Sequence, residues 1–350
     1  MIFNYEPLVT ETDCHEIQRF LDVGLEKPNL LKSAESNLST YLGRPTVTCE
    51  SGTAGLHLSL LAMGIGPGDE VIVPDLTFAA SWNPVLYTGA TPVFCDIDPD
   101  TWCIDVRDAE KKLSDRTKAI ISVDLYGNAC DYNELQDLTR WRGLKLIVDA
   151  AESLGTKFYE KNCAQYGDVA VTSFNSNKIV TGFGGGAISA NNQTILEKAR
   201  SLLNQAKVGD EYKYNDVGYN YRCHPLALAL FNSQIRRINE IIDVKKKIDE
   251  TYRNLLPHLI FQKATPGCDP NYWLSVINLG SFERMEKVHG ALRERKIESK
   301  KIFSTGSSAL NRTPNIIAHE ISQSSLSLPC GPKITQAQIE LICECVRSML

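Results

Sequence analysis

The sequence lacks the features that mark membrane proteins and nucleic-acid-binding proteins. No apolar run reaches the length of a membrane span, and the N-terminal residues have neither a basic start nor a long apolar core. The net charge is -5, with 37 Lys and Arg against 42 Asp and Glu, so no general basic surface is available for nucleic acid. We therefore expect a soluble, cytoplasmic protein that binds neither membranes nor nucleic acid.

The cysteines also lack a pattern that would indicate a metal site or a disulfide framework. The chain has 11 of them, scattered, with no Cys-x-x-Cys pair and no matching histidine spacing. Cys343 and Cys345 lie two apart in a predicted helix, an arrangement that points the two side chains to different faces. We expect reduced thiols and no metal site.

What the chain does contain is a regular alternation of short buried strands and helices. Strands are predicted in EVIVPDL, TPVFCDI, AIISVDL, LKLIVDA and VAVTSF, with a helix from Asp131 to Trp141 among them. This order is typical of an α/β fold with a mainly parallel sheet. For 350 residues we expect a large domain over 1–235 and a smaller C-terminal α+β domain over 236–350, bridged by a long helix near 225–252.

Two residues stand where such a sheet collects ligand-binding groups. Lys178 precedes a glycine cluster, Gly182–Gly186, where backbone can approach a ligand closely, as a Schiff-base enzyme needs. Asp149 ends the predicted strand LKLIV and is placed to face a cationic ring nitrogen. Each has a simpler interpretation taken alone, a solvated loop lysine and a helix-capping aspartate.

A third segment, Cys49–Gly55, places small and hydroxyl residues directly before an amphipathic run. Free backbone N–H groups at the start of a helix form a phosphate-binding site, which would involve Thr53 and Ala54. An ordinary N-cap explains Ser51 or Thr53 equally well in isolation.

In this order, the three segments resemble the DegT/DnrJ/EryC1/StrS family of sugar aminotransferases, which are fold-type I pyridoxal phosphate enzymes. The resemblance runs through nearly the whole chain. It includes SGTAGLHLSLLAMGIGPGDEVIVPDLTFAAS, GATPVFCDIDPDTWCID, RTKAIISVDLYGN, LIVDAAESLG, YGDVAVTSFNSNKIVTGFGGGAIS, VGYNYRCHPLALALFNSQIRRI and LSLPCGPKITQAQIELI.

The resemblance implies a role for each matched residue. Lys178 matches the lysine that forms the Schiff base with pyridoxal phosphate and later moves a proton, and Asp149 matches the aspartate at the pyridine nitrogen. The remaining matches bind the cofactor: Thr53, Ala54 and Ser173 at its phosphate, Phe78 on its ring, and Asn220 at the phosphate of the neighbouring subunit. A homodimer with shared active sites is therefore implied. Phe78 taken alone would be read as a core phenylalanine.

Several positions depart from the family pattern. Glu152 replaces the glutamine usual beside the phenolic oxygen of the cofactor, so we expect it to be protonated or turned away. Asp124 stands where histidine is usual, and Gly184 replaces an acidic residue. The segment after Ile302 lacks the proline-aromatic-histidine run of many relatives.

The implied reaction has two halves, with pyridoxamine phosphate formed between them. L-Glutamate would donate the amino group to the C4 ketone of a nucleotide-linked 4-keto-6-deoxyhexose, as in the perosamine, viosamine or bacillosamine pathways. UDP, dTDP and GDP remain open as the nucleotide, with Arg222, Lys207 and the residues after Ile302 as candidate diphosphate contacts. The alternatives are a 3-keto sugar aminotransferase, a sugar dehydratase, against which Lys178 argues, and a non-catalytic relative of the same fold.

Overall fold

The structure, a computed structural model that describes residues 1–23, 29–209 and 211–350, alternates strands and helices for much of its length. Its α-helices are α1 (Glu11–Val23), α2 (Asn29–Leu42), α3 (Gly52–Ala62), α4 (Asn83–Tyr87), α5 (Val106–Lys111), α6 (Tyr132–Arg142), α7 (Gln193–Leu203), α8 (Pro225–Gln234), α9 (Ile238–Leu255), α10 (Phe282–Glu294), α11 (Gly306–Ala309), α12 (Ile316–Ser324) and α13 (Gln336–Arg347). Its strands are β1 (Thr46–Cys49), β2 (Glu70–Pro74), β3 (Thr91–Cys95), β4 (Thr117–Val123), β5 (Lys145–Asp149), β6 (Lys157–Phe158), β7 (Lys161–Asn162), β8 (Val169–Ser173), β9 (Gly186–Ala190), β10 (Ile260–Phe261), β11 (Cys268–Asp269), β12 (Ser275–Asn278), β13 (Lys300–Lys301) and β14 (Ser325–Leu328).

The main sheet has seven strands in the order β1, β9, β8, β5, β4, β2, β3. The strands from β8 to β3 are parallel to one another, whereas β9 is antiparallel to both of its neighbours. Interior residues such as Val71, Ile120 and Ile147 are fully buried, as expected for parallel strands covered on both faces. The predicted α/β fold with a mainly parallel sheet is confirmed.

Local sequence sets the ends of the helices. The carboxylate of Asp131 accepts hydrogen bonds from the backbone N–H groups of Asn133 and Glu134 at the start of α6. Gly143 ends the same helix with φ 67°, in the left-handed region where glycine is favoured. Thr335 and Gln338 form a capping box at the start of α13. These helices lie where the sequence predicts them, to within a residue or two.

A second, antiparallel sheet in the order β10, β12, β14, β13 lies in the C-terminal part of the chain. It has its own buried apolar cluster, which includes Tyr252, Leu292 and Ile342, distinct from the larger cluster around the main sheet. These two clusters support the large and small domains that we propose over 1–235 and 236–350.

The predicted bridging helix is interrupted. A 3-10 turn at Ile235–Arg237 separates α8 from α9. The two clusters nevertheless meet along α9, because Ile238 and Ile242 belong to the large cluster and Ile248 to the small one. Within the described ranges, the structure has no helix with the length and apolar character needed to cross a bilayer.

Candidate active site

A cavity of about 270 Å³ opens at the carboxyl edge of the main sheet, beside the start of α3. Parallel α/β sheets bind ligands at this edge because their strands end there and their loops diverge. Six of the residues predicted from the sequence line it: Thr53, Phe78, Asp149, Glu152, Ser173 and Lys178. Trp273 and Phe303, from the C-terminal part of the chain, complete its wall.

Lys178 follows β8 after a short turn and extends its amine into the cavity. Its Nζ lies 3.5 Å from Oε1 of Glu152 and 3.6 Å from the centre of the Trp273 ring, and 13% of its side chain is exposed. Burial lowers the pKa of Lys178, while the carboxylates of Glu152 and Asp149 act in the opposite direction. An amine with a lowered pKa is more readily available as a nucleophile or a base.

Asp149 is the last residue of β5 and is 4% exposed. Its Oδ2 accepts a hydrogen bond from the Ser81 hydroxyl at 2.7 Å, and its Oδ1 accepts one from the backbone N–H of Ala151 at 3.2 Å. Burial raises its pKa, and these hydrogen bonds together with the charge of Lys178 oppose that rise. The carboxyl group is thus held in one orientation at the floor of the cavity.

Glu152 does not turn away from the cavity, which was one of the two outcomes expected for it. Its Oε2 accepts a hydrogen bond from the backbone N–H of Tyr126 at 2.8 Å, and its other oxygen faces Lys178. Burial raises the pKa of Glu152 to about 7, against the lowering effect of Lys178 and the Tyr126 N–H. Protonation of this carboxyl group, the other expected outcome, therefore falls near neutral pH.

The Tyr126 backbone lies in the left-handed region, with φ 57°. This conformation is unfavourable for a tyrosine and is found where surrounding structure imposes it, often near functional sites. Here it accompanies the hydrogen bond from the Tyr126 N–H to Glu152.

The start of α3 supplies the positive end of a helix to the same cavity. Ser51 is the N-cap, and its hydroxyl accepts a hydrogen bond from the backbone N–H of Ala54 at 3.1 Å. A Cβ atom on Gly52 would lie 3.2 Å from that of Ser173, so glycine permits the close approach of this helix to β8. Thr53 and Ser173 line the resulting recess, whereas Ala54 is buried behind it with its N–H already bonded.

Phe78 is exposed rather than part of the core, with 56% of its surface accessible. Its ring lies 5.5 Å from that of Phe303, tilted by 48°. A free aromatic face at the cavity is what ring stacking on a flat ligand requires.

Asn220 does not join this cavity within one chain. It is exposed and lines a separate cavity of about 710 Å³, together with Arg222. Glu50 lines both cavities, so the two are adjacent at the segment that precedes α3. Of the candidate diphosphate contacts, Arg222 lies in the Asn220 cavity, and Lys207 has its Nζ 5.1 Å from the Tyr212 ring.

Sequence reasoning missed Ser81, Tyr126 and Trp273, and it included Phe303 only among the candidate diphosphate contacts after Ile302. Trp273 stands at the head of WLSVINL, which predicts only a strand, and Phe303 lies in a segment without a recognisable pattern. Their proximity to Lys178 or Phe78 depends on how the C-terminal part packs against the main sheet. No local periodicity carries that information.

Comparison with known proteins gives consistent results for sequence and structure. The sequence model of the DegT/DnrJ/EryC1/StrS aminotransferase family matches residues 12–347. GDP-perosamine synthase of Escherichia coli O157:H7 is 34% identical over 323 residues, covering 90% of this chain and 87% of the relative. UDP-2-acetamido-2-deoxy-3-oxo-D-glucuronate aminotransferase of Pseudomonas aeruginosa is 29% identical over 88% of both chains. Among solved structures, the aminotransferase TlmJ of Streptoalloteichus hindustanus has a TM-score of 0.94 at 25% identity, covering 100% of this chain and 98% of TlmJ.

Proposed function

The chain belongs to the DegT/DnrJ/EryC1/StrS aminotransferase family, and we propose that it transfers an amino group from L-glutamate to the C4 ketone of a nucleotide-linked 4-keto-6-deoxyhexose. The observation that carries the proposal is the placement of the Lys178 amine in a cavity with Asp149 at its floor and a helix start at its side. The relative named GDP-perosamine synthase, at 34% identity, supports a perosamine-type product.

The residues present fit pyridoxal phosphate, the cofactor of this family. The fit rests on the chemistry of the groups: an amine for the aldehyde, a buried carboxylate for the ring nitrogen, and a helix start beside a serine for the phosphate. We assign Lys178 and Asp149 to the first two roles and Thr53 and Ser173 to the third. Ala54 lies in the same turn, with its N–H bonded to Ser51, and Phe78 offers an exposed face for stacking.

When bound, pyridoxal phosphate supplies an electron sink for the carbanion formed at the donor carbon. The protein supplies the acid and base. Lys178 Nζ, with its pKa lowered by burial, accepts the proton from Cα of the amino donor and later returns a proton to the amino acceptor. The hydrogen bonds from Ser81 and Ala151 hold the Asp149 carboxylate in one orientation, in which its negative charge would face the ring nitrogen of the cofactor. The Glu152 carboxylate lies 3.5 Å from Lys178 Nζ and favours the charged form of the amine.

We favour the C4 ketone over the C3 ketone. Two relatives named for 3-oxo or 3-dehydro sugars are 29% and 31% identical, against 34% for GDP-perosamine synthase. The name of GDP-perosamine synthase also makes GDP the first nucleotide to test, ahead of UDP and dTDP. A dehydratase or a non-catalytic relative has no need of the buried amine of Lys178 beside Asp149.

The deciding experiment is a substrate panel. Purified protein with pyridoxal phosphate and L-glutamate is incubated with GDP-, UDP- and dTDP-linked 4-keto and 3-keto sugars, and the product is identified by NMR. We expect an amine at C4, no product from the Lys178→Ala variant, and loss of the yellow colour of the wild-type protein when glutamate is added. An amine at C3 would overturn the choice of ketone, and a colourless protein that takes up no cofactor would indicate a non-catalytic relative.

We further propose that the working unit is a homodimer in the cytoplasm. Asn220 lies apart from Lys178 in one chain and is exposed, which leaves it free to reach the cofactor of a second copy. All eleven cysteines are unpaired thiols, most of them buried, as suits a reducing compartment.

A further inference from the structure

The amine of Lys178 has two close neighbours, the carboxyl group of Glu152 and the indole ring of Trp273. Oε1 of Glu152 lies 3.5 Å from its Nζ, and the centre of the Trp273 indole ring lies 3.6 Å from the same atom. An ammonium group over an indole face is attracted to the negative face of the ring, and the attraction strengthens when water is excluded. Trp273 is 2% exposed, so this contact is almost dry.

Trp273 also contacts the backbone that carries Lys178. Its indole N–H donates a hydrogen bond to the carbonyl oxygen of Asn177 at 2.5 Å. The hydroxyl of Tyr5 donates to the carbonyl oxygen of Lys178 itself at 3.2 Å. The two consecutive carbonyl groups at this position are therefore held by residues distant in the sequence, and one of these residues also faces the amine.

Trp273 is in turn fixed to the loop that carries Glu152. Its backbone N–H donates to Oδ1 of Asn271 at 2.9 Å, and the amide of Asn271 donates to the carbonyl oxygen of Glu152 at 2.9 Å. The ring of Trp273 also stacks with that of Tyr126, whose N–H bonds the Glu152 carboxylate. The indole of Trp273 and the carboxylate of Glu152 are thus connected through Asn271 and Tyr126.

We propose that Trp273 is a positioning residue for Lys178, which holds the ammonium group opposite Glu152 through its ring face and fixes the preceding peptide through its N–H. The inference rests on the proposed function for the role of Lys178 in proton transfer, but the contact itself needs no substrate. The charged groups facing the amine are the carboxylates of Glu152 and Asp149. The indole adds to their effect, since it too favours the charged form of Lys178.

The test weakens the negative potential of the indole face with little change in the size of the ring. The chain contains four tryptophans, Trp82, Trp102, Trp141 and Trp273. Full-length protein is produced with mono-, di- and trifluorinated tryptophan, which withdraw electron density from the ring face. The pKa of Lys178 is then read in the cofactor-free protein by competitive acetylation with acetic anhydride across pH, followed by mass spectrometry of the Lys178 peptide. We expect the midpoint to fall stepwise with fluorination, by about one pH unit in total.

The Trp273→Phe variant is the matched control. In that background the other three tryptophans still carry fluorine, so the Lys178 midpoint should no longer respond to fluorination. Thermal unfolding of each preparation establishes that the fold is retained. A Lys178 midpoint that stays constant across the fluorinated series in otherwise wild-type protein would overturn the proposal, as would an equal response in Trp273→Phe. Because no sugar is used, either result is independent of which substrate the enzyme takes.

A kinetic measurement examines the hydrogen bond to Asn177. Trp273→Phe keeps an aromatic face and loses the indole N–H. We expect kcat to fall roughly ten- to a hundredfold with KM for glutamate within about twofold, because a displaced base slows proton transfer without weakening substrate binding. An unchanged kcat, or a loss confined to KM, would contradict the positioning role.

Discussion

Glu152 is the residue whose charge changes nearest to neutral pH in the cavity, because burial raises its pKa to about 7. Below that pH it is mostly protonated, and above it the carboxylate faces Lys178 at 3.5 Å. The carboxylate raises the pKa of Lys178 and so reduces the fraction of free amine.

The variant Glu152→Gln keeps the shape of the side chain and removes this charge. The pKa of Lys178 should then fall, and the acid limb of the pH–rate profile for the half-reaction with glutamate should move to lower pH by at least about one unit. Single-turnover absorbance measurements across pH give the profile. An acid limb at the wild-type position, or at higher pH, would show that Glu152 does not set the charge of Lys178.

Asp124 is expected to make the stability of the folded state depend on pH. It is fully buried, and it accepts hydrogen bonds from the Tyr132 and Ser153 hydroxyls and from the backbone N–H of Cys130. Burial raises its pKa from the ordinary 3.8 to about 6 in spite of these donors. As pH rises from 3.8 to 6, the unfolded chain loses this proton before the folded chain does, so the folded state is progressively destabilised.

The difference between the two pKa values corresponds to about 3 kcal/mol. Asp124→Asn has no such titration. The free energy of unfolding of the variant, relative to wild type, should therefore increase by about 3 kcal/mol between pH 3.8 and pH 6 and stay constant above that. Urea unfolding at a series of pH values measures the difference. The exposed Asp137, substituted to Asn, serves as the control. If the unfolding free energy of Asp124→Asn depended on pH as that of the wild type does, the titration would not belong to Asp124.

Among individual residues, the sequence identified those that carry the proposed chemistry but not those that position them. Lys178, Asp149 and Glu152 lie in motifs where spacing and neighbours are informative. Trp273 and Tyr126 act through tertiary contacts. Trp273 lies 95 positions from Lys178 in the sequence, and Tyr126 lies 26 positions from Glu152. A tryptophan ahead of a strand has the same local pattern whether it faces a core or an amine.

Among the elements, the segment after β13 depends on one buried carboxylate at the end of β2. Asp75 is fully buried and accepts hydrogen bonds from the backbone N–H and hydroxyl of Ser307 and from the backbone and side-chain N–H groups of Asn315. The backbone N–H of Gly306 donates to the Asp75 carbonyl oxygen at 2.8 Å. Phe303 and its neighbours are thereby attached to the main sheet.

Replacing Asp75 by alanine should destabilise the protein by about 3 kcal/mol, because two buried and two half-buried donors lose their acceptor. Ser307→Ala removes one of the four bonds and should reduce stability by only about 1 kcal/mol. Urea unfolding of both variants at neutral pH provides the comparison. Equal effects of the two substitutions would mean that the carboxylate does not anchor the segment.

Of the seven strands of the main sheet, the sequence missed β1 and β9, which occupy one side of it. Their sequences, TVTC and GAISA, are short and rich in small residues, so neither shows the apolar run by which the five parallel strands were found. Cys343 and Cys345, which lie two apart in α13, are both buried. Helix α13 contacts α9 and α10 and therefore buries a broad face.

The apolar pattern likewise does not predict where one helix ends and the next begins. Residues on either side of Ile235–Arg237 keep the helical spacing, yet the chain forms a 3-10 turn there. Asp13 of α1 accepts hydrogen bonds from the side chains of Gln234 and Arg237 at this turn. The interruption thus coincides with a polar contact between distant segments, which periodicity alone does not record.

For the molecule as a whole, the cavity is assembled from both parts of the chain. The Lys178 turn and Asp149 come from the main sheet, and Trp273 and Phe303 come from the C-terminal part. Asn220, with an expected role at the cofactor phosphate, lies in the other cavity. The collinear motifs predicted the fold and the cofactor chemistry, but a single chain contains no contact from which the sharing of a site could be read.

The proposed dimer, with Asn220 acting at the site of its neighbour, leads to a test by subunit mixing. Asn220→Ala and Lys178→Ala are each expected to be inactive, the first by weakening cofactor binding in trans and the second by removing the amine; the inactivity of each is checked first. In a heterodimer of the two, one site carries both wild-type groups and the other carries both substitutions. Random exchange makes about half of the dimers mixed, so about a quarter of wild-type activity should return.

Subunit exchange is established by mass spectrometry of differently tagged chains, and assays follow at full exchange. The matched control mixes Lys178→Ala with Asp149→Asn, two residues that line the same cavity of one chain. Each site of that heterodimer carries one of the two substitutions, so no activity should return even at full exchange. If Asn220 instead served its own chain, each site of the mixed dimer would carry one substitution and no activity would return; the double variant tests the same point from the opposite direction. A chain carrying both Asn220→Ala and Lys178→Ala, mixed with wild type, leaves each site of the heterodimer with one lesion if the site is shared, and one intact site if it is not. We expect the mixed dimers to be inactive, so that activity per wild-type chain falls by about half at equal mixing; activity per wild-type chain that stays constant would contradict the shared site.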